Sequence, residues 1–102
     1  MTEHDLQSRI MMELSKYGVC FRINNGAFYA RDGRYIPASL PKGFSDLQFI
    51  RDGQAYFIEV KVKPNKATQG QLHFIKQMQK HGCGAGVAYS VEDALAICEV
   101  NL

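Results

Sequence analysis

The chain reads as an α/β sandwich, a mixed central β-sheet flanked by helices, on three observations. Leu6, Ile10, Met11, Leu14 and Tyr17 recur at helical spacing near the start. Runs rich in Val, Ile, Phe and Tyr, broken by turn residues, fill the middle as strands. A helix, a strand and a helix then alternate through the last third, an order that buries a sheet between helical layers. With 102 residues and 46% hydrophobic content, residues 1–102 are expected to form one domain around one modest core.

In chain order, residues 3 to 17 form an amphipathic helix closed by Gly18, its apolar stripe facing the core. Val19-Cys20-Phe21-Arg22-Ile23 follows as a strand and turns at Asn24-Asn25-Gly26. Ala27-Phe28-Tyr29-Ala30 and Arg34-Tyr35-Ile36, separated by Asp32-Gly33, make either a hairpin or an irregular loop. Its interleaved Phe28, Tyr29, Arg31, Arg34 and Tyr35 suit a nucleic-acid backbone or unstacked bases; alternatively the aromatics pack on the sheet. Pro37 to Gly43 is a loop into a strand beginning at Asp46, and Arg51-Asp52-Gly53-Gln54 is the turn to the next strand.

That strand, Tyr56 to Val62, ends at Pro64-Asn65 because proline cannot continue a ladder. Thr68-Gln69-Gly70-Gln71 has capping-box spacing and opens a helix through Leu72, Ile75 and Met78 toward His81-Gly82. The glycine-rich Gly82-Cys83-Gly84-Ala85-Gly86 follows a helix and enters a strand, the reverse of a phosphate loop, so it reads as a helix cap and tight connection. Ala85 to Tyr89 is a buried strand. Ser90-Val91-Glu92-Asp93 starts the last helix, which runs through Ala94, Leu95, Ile97 and Cys98.

Chemistry concentrates in two places. Asp46 is followed, after twelve residues, by Glu59-Val60-Lys61 inside an apolar run. Strand side chains alternate, so Glu59 and Lys61 share one face while Tyr56, Ile58, Val60 and Val62 share the other, the pattern of a half-buried strand. The hairpin turn can bring Asp46 beside Glu59. Two carboxylates can hold a hard divalent cation such as Mg²⁺, and a lysine beside them can orient water or stabilise charge at a phosphate. Together they suit metal-dependent hydrolysis of a phosphodiester. The alternative is a solvated salt bridge between Lys61 and a carboxylate.

Gly43-Phe44-Ser45-Asp46 and Glu59-Val60-Lys61 together resemble the core of the PD-(D/E)XK nuclease superfamily. More closely, the whole chain resembles the small stand-alone VRR-NUC (virus-type replication and repair nuclease) modules of phage and bacteria. The likeness runs from Glu3 through Arg22-Ile23-Asn24-Asn25-Gly26 and both motifs to Gln71 and Gly86-Val87-Ala88-Tyr89-Ser90. Ser45 stands where the superfamily pattern has proline. The resemblance implies a restriction-endonuclease-like sandwich acting on DNA as a Mg²⁺- or Mn²⁺-dependent endonuclease. Asp46, Glu59 and the Val60 carbonyl would be metal ligands, with Glu3 the helical acid near the metal. Lys61 would be the catalytic lysine and Gln71 the glutamine on the helix after the catalytic strand, although Gln71 also has the position of a helix cap. The resemblance further implies a homodimer cutting branched DNA such as a four-way (Holliday) junction. A nicking or single-strand nuclease of the same fold, or a non-catalytic nucleic-acid-binding module, are the alternatives.

Net charge is only +2, but residues 16 to 80 carry eleven basic against four acidic side chains, a balance of +7 around the carboxylates. A phosphate backbone is the expected partner, met by Arg22, Asn24, Arg31, Arg34, Lys42, Lys63 and Lys66. Solvated, scattered lysines are the plainer reading. Cys20, Cys83 and Cys98 lack metal or disulfide spacing and are expected to be reduced core thiols. His4, His73 and His81 lack ligand spacing and suit surface or capping roles, and no serine has a base partner for a serine hydrolase. Without an apolar span or signal-like start, the expectation is a soluble protein of the bacterial or phage-infected host cytoplasm, with no membrane partner.

Overall fold

The computed structural model describes residues 1–23, 28–37 and 39–100. The expected turn at Asn24-Asn25-Gly26, with the proposed contact residue Asn24, lies outside the described residues, as does Ala38 in the later loop.

Helix α1 spans Glu3–Leu14 and opens on a capping box: Asp5 N–H donates to Thr2 Oγ1 (3.0 Å) while Thr2 N–H donates to the Asp5 carboxylate (3.1 Å). Hydrogen bonding from the Thr2 backbone N–H, and then from its hydroxyl, holds the Asp5 carboxyl below its ordinary value. The helix ends three residues before the apolar periodicity does. The N–H groups of Tyr17 and Gly18 both donate to the Leu14 carbonyl, so the chain tightens into turns while Tyr17 still packs on the core.

Strands β1 (Val19–Arg22), β4 (Leu47–Arg51), β5 (Gln54–Val60) and β6 (Gly84–Ala88) make one sheet in the order β1-β4-β5-β6. The first two pairings are antiparallel and β5 with β6 is parallel, so the sheet is mixed, as expected. Between β1 and β4, β2 (Phe28–Tyr29) and β3 (Tyr35–Ile36) pair as a separate hairpin, which decides that segment against an irregular loop. The β4–β5 turn closes on the pair Arg51 and Gln54, with Asp52 (φ 51°) and Gly53 (φ 78°) both left-handed, the geometry that matches strand twist in a two-residue hairpin.

Helices α1 and α3 (Val91–Ile97) cover one face of the sheet, and α2 (Gln69–Lys80) covers β5 and β6 on the other. Against α1 and α3 lies a continuous apolar core of Leu6, Ile10, Leu14, Leu47, Phe49, Tyr56, Ile58, Val60, Ala88, Ala94, Leu95 and Cys98. Each fully buried large side chain there contributes about 1.5–3 kcal/mol. Close approach of α3 to β6 needs Gly86, where a Cβ would run into the Ile97 side chain.

Two expectations are corrected here. The strand carrying Glu59 is not half-buried: Tyr56 through Val60 are all buried, because α2 brings Phe74 onto the face that alternation left to solvent. All three cysteines are free, but only Cys98 is buried in the core; Cys20 packs at its margin and Cys83 is half-buried where the chain enters β6. His81 caps the C-terminus of α2, and His4 and His73 are exposed. Among the described residues no helix is long and apolar enough to cross a membrane.

Candidate active site

The site grows from the register of β4 against β5. Leu47 pairs with Ile58, so one further step along the antiparallel ladder sets Asp46 across from Glu59, on the face opposite the main core. The Asp46 carboxylate accepts a hydrogen bond from the Val60 N–H (2.9 Å), while its own carbonyl accepts one from Ile23 N–H (2.9 Å). Across the strand, Lys61 N–H donates to the Ala88 carbonyl (3.0 Å), which keeps the end of β5 in the parallel ladder. Neighbouring peptide groups alternate sides, and the N–H and C=O of one strand residue leave together, so the Val60 carbonyl turns toward the Asp46 side.

Glu59 is the unusual group. Only 1% of it is exposed, and among the described residues its Oε1 has no hydrogen-bond partner. Burial pushes its carboxyl up to about 9, helped by the hydrogen bond to Asp46 and by the Asp46 and Glu3 charges, with Lys61 pulling the other way. At neutral pH Glu59 therefore holds a proton that a cation could replace. A buried carboxylate oxygen without a partner is costly in a finished fold. Two carboxylates with a nearby carbonyl form an oxygen-only donor set of the kind Mg²⁺ and Mn²⁺ accept, so the residues present fit the expected ion.

Around this pair stand the other expected residues. Glu3, at the first position of α1, accepts from Asn65 Nδ2 (3.0 Å) and acts on Glu59 through its charge. Among the described residues no three His, Cys, Asp or Glu side chains converge as a ready metal cluster, so Glu3 stands outside the Asp46–Glu59 pair. Lys61 is half-buried, and among the described residues it lies within ion-pair distance of neither Asp46 nor Glu59. Gln71 closes the capping box of α2: its Oε1 accepts from Thr68 N–H (2.8 Å), and its own N–H donates to Thr68 Oγ1 (3.2 Å). Gly43 (φ 81°) lets the loop before Asp46 press on this turn, since a Cβ there would overlap the Gly70 carbonyl. The carboxylate loop and the α2 N-terminus are thereby locked together.

The expected DNA contacts separate into three groups. Arg22 is bound to α1, donating to Gln7 Oε1 (2.9 Å), Ser8 Oγ (2.8 Å) and the His4 carbonyl (3.2 Å), neutral acceptors all, and among the described residues it forms no ion pair. Lys63 and Lys66 are exposed on the loop after β5, with the Lys63 ammonium 5.8 Å from the Tyr89 ring centroid, and Lys42 is exposed beside Gly70. Arg31 and Arg34 sit on the β2–β3 hairpin, where Arg34 pairs with Asp32 (2.7 Å). Two residues join the site without any mark in their sequence context. Asn65 holds Glu3, and the Tyr89 hydroxyl donates to the Asn65 carbonyl (3.1 Å). Both contacts join segments far apart in the chain, and only the general position of Asn65, just past β5, hints at them.

A buried Glu59 carboxyl beside the half-buried Asp46, where the β4 and β5 strand ends meet, marks the candidate site of an α/β domain. No family model matches the sequence, and no curated protein matches it. Among solved structures, the chain is similar to a protein described as a VRR_NUC domain, with a TM-score of 0.68 at 21% identity over 100% of both chains. It is also similar to a VRR_NUC domain protein, with a TM-score of 0.64 at 20% identity over 97% of this chain and 86% of that one. The chain therefore has the VRR_NUC fold over its full length, as its motifs led one to expect.

Proposed function

We propose that this protein is a metal-dependent, structure-selective DNA endonuclease. The observation that supports it best is the buried Glu59 carboxyl beside Asp46, its Oε1 without a partner among the described residues, on a VRR_NUC fold. Asp46, Glu59 and the Val60 carbonyl hold Mg²⁺ or Mn²⁺, with Glu3 adding negative charge from α1. Such an ion lowers the pKa of water and neutralises charge at a phosphodiester. Lys61, which among the described residues forms no ion pair, orients the attacking water or stabilises the charge that builds on the phosphoryl oxygens. Gln71 fixes the α2 N-terminus beside the reacting phosphate. Arg22, Lys42, Lys63 and Lys66 receive the flanking backbone, together with Arg31 and Arg34 and, by its place in the sequence, Asn24.

A domain this small has little surface for reading base sequence, so it selects DNA by charge and shape. We place a homodimer on a four-way junction, where twofold symmetry would set one site on each of two strands. The test is cleavage of a labelled four-way junction by wild type and Lys61→Ala with Mg²⁺, with Mn²⁺ and with EDTA. Paired cuts that need the metal and disappear in the variant support the reading. Tight binding with no cuts would replace it with a binding module, and equal cutting of linear duplex by a monomer would remove the junction specificity.

A further inference from the structure

The β2–β3 hairpin is unlike the rest of the molecule. Among the described residues its two strands pair with each other and their backbone lies close to no other helix or strand, which makes it an arm outside the main sheet. Tyr29 and Tyr35 are directly cross-strand and share one face. They do not pack on the sheet: their rings meet edge to face at 5.6 Å, and the residues remain 73% and 61% exposed. Two large aromatic side chains left in water on a two-residue ladder gain little for folding, because the burial that stabilises an aromatic is missing. The turn itself is built firmly. Ala30 N–H donates to the Arg34 carbonyl (2.8 Å), Gly33 N–H donates to the Ala30 carbonyl (2.9 Å), and Asp32 holds Arg34 through both backbone and side chain.

The arm is also rooted at the carboxylates. The chain leaves the sheet at Ile23, whose N–H donates to the Asp46 carbonyl, and returns through the loop that ends in Ser45-Asp46. From Arg22 to Lys42 this excursion carries four basic side chains and one acidic one, so its field suits a polyanion.

We propose that the Tyr29–Tyr35 face of the arm stacks on unpaired bases next to the scissile phosphate, with Arg31 and Arg34 set for the adjoining backbone. This makes the arm the element that favours DNA with unpaired or branched segments over uniform duplex. Every base has a π-face, so such stacking tolerates any sequence and needs only that a base be free of its neighbours. The inference rests on the nuclease reading for its placement beside a scissile bond, but its test does not depend on cleavage.

In the Lys61→Ala background with Mg²⁺ present, affinity is measured for a forked DNA carrying 2-aminopurine at the branch and for a fully paired duplex of the same length. The arm predicts quenching of 2-aminopurine on binding. Tyr29→Ala/Tyr35→Ala should abolish the quenching and weaken fork binding roughly tenfold or more, with duplex binding unchanged. Tyr29→Phe/Tyr35→Phe should restore both signals. Equal loss on fork and duplex, or quenching that survives the alanines, would overturn the stacking role. So would an unchanged fork preference in an alanine variant that sediments as a smaller species than its parent, which would make the face a contact between copies. A wild type that cuts no DNA defeats the nuclease reading and leaves this binding result standing.

Discussion

The two faces of β5 are equally buried and chemically opposite. Tyr56, Ile58 and Val60 enter an apolar core shared with α1 and α3. One residue over, Phe57 packs edge to face on Phe44 and Phe74, and then Glu59 buries an ionisable group against the same layer. The first face stabilises the fold outright. The second holds a carboxyl that the interior keeps protonated, because burial raises it to about 9. A single strand thus separates the main apolar core from the proposed site, and changes on its two faces should fail in different ways.

The largest effect belongs to the core face. Ile58→Ala leaves a cavity where no part of the side chain reached water and should cost about 2–5 kcal/mol, a large share of a small domain's stability. Chemical denaturation would register it, and any loss of cleavage should track the unfolded fraction. On the other face, Lys61→Met should leave the melting temperature nearly unchanged while lowering the cleavage rate by a factor on the order of 10²–10³, read in single-turnover assays.

Glu59→Gln sharpens the contrast through pH. The folded-state carboxyl binds its proton up to about 9, whereas the ordinary value is 4.5, so between these limits the folded chain holds a proton that the unfolded chain has lost. Without divalent cation, stability should therefore fall as pH rises through that window, by up to about 1.4 kcal/mol per pH unit. Glu59→Gln should flatten the slope and be the more stable form at the alkaline end. Denaturant midpoints at several pH values would check both. Smaller still, Gln71→Ala removes half of the α2 capping box and should cost about 1 kcal/mol in the same assay. Asn65→Ala, which frees Glu3, should cost less than that and act mainly on the metal concentration needed for half-maximal cleavage.

Much of this was legible because it rests on local rules. Strand alternation and the Asp52-Gly53 turn put Asp46 beside Glu59, and the spacing from Thr68 to Gln71 marked the helix start that both faces of the site lean on. The burial of Glu59 was not legible in the same way. Its alternating pattern is what a half-exposed strand shows, and only the packing of α2, whose Phe74 is distant in the chain, closes that face. The end of α1 at Leu14 reflects carbonyl sharing in a turn that no proline or glycine announces before Gly18. Asn65 with Glu3 is a contact across 62 residues, beyond any periodicity. The exposure of Tyr29 and Tyr35 likewise depends on the hairpin's separation from the sheet, which their composition leaves open.

At the carboxylate pair a divalent cation should displace the proton held by Glu59 and release it to solvent. Calorimetric titration of Mn²⁺ into wild type and Glu59→Gln at neutral pH, in two buffers of different ionisation enthalpy, measures the ion and the proton together. The account predicts saturable binding in wild type with release of about one proton per ion and an affinity that tightens as pH rises, both lost in Glu59→Gln. Binding that releases no proton, or that is the same in the variant, would contradict it.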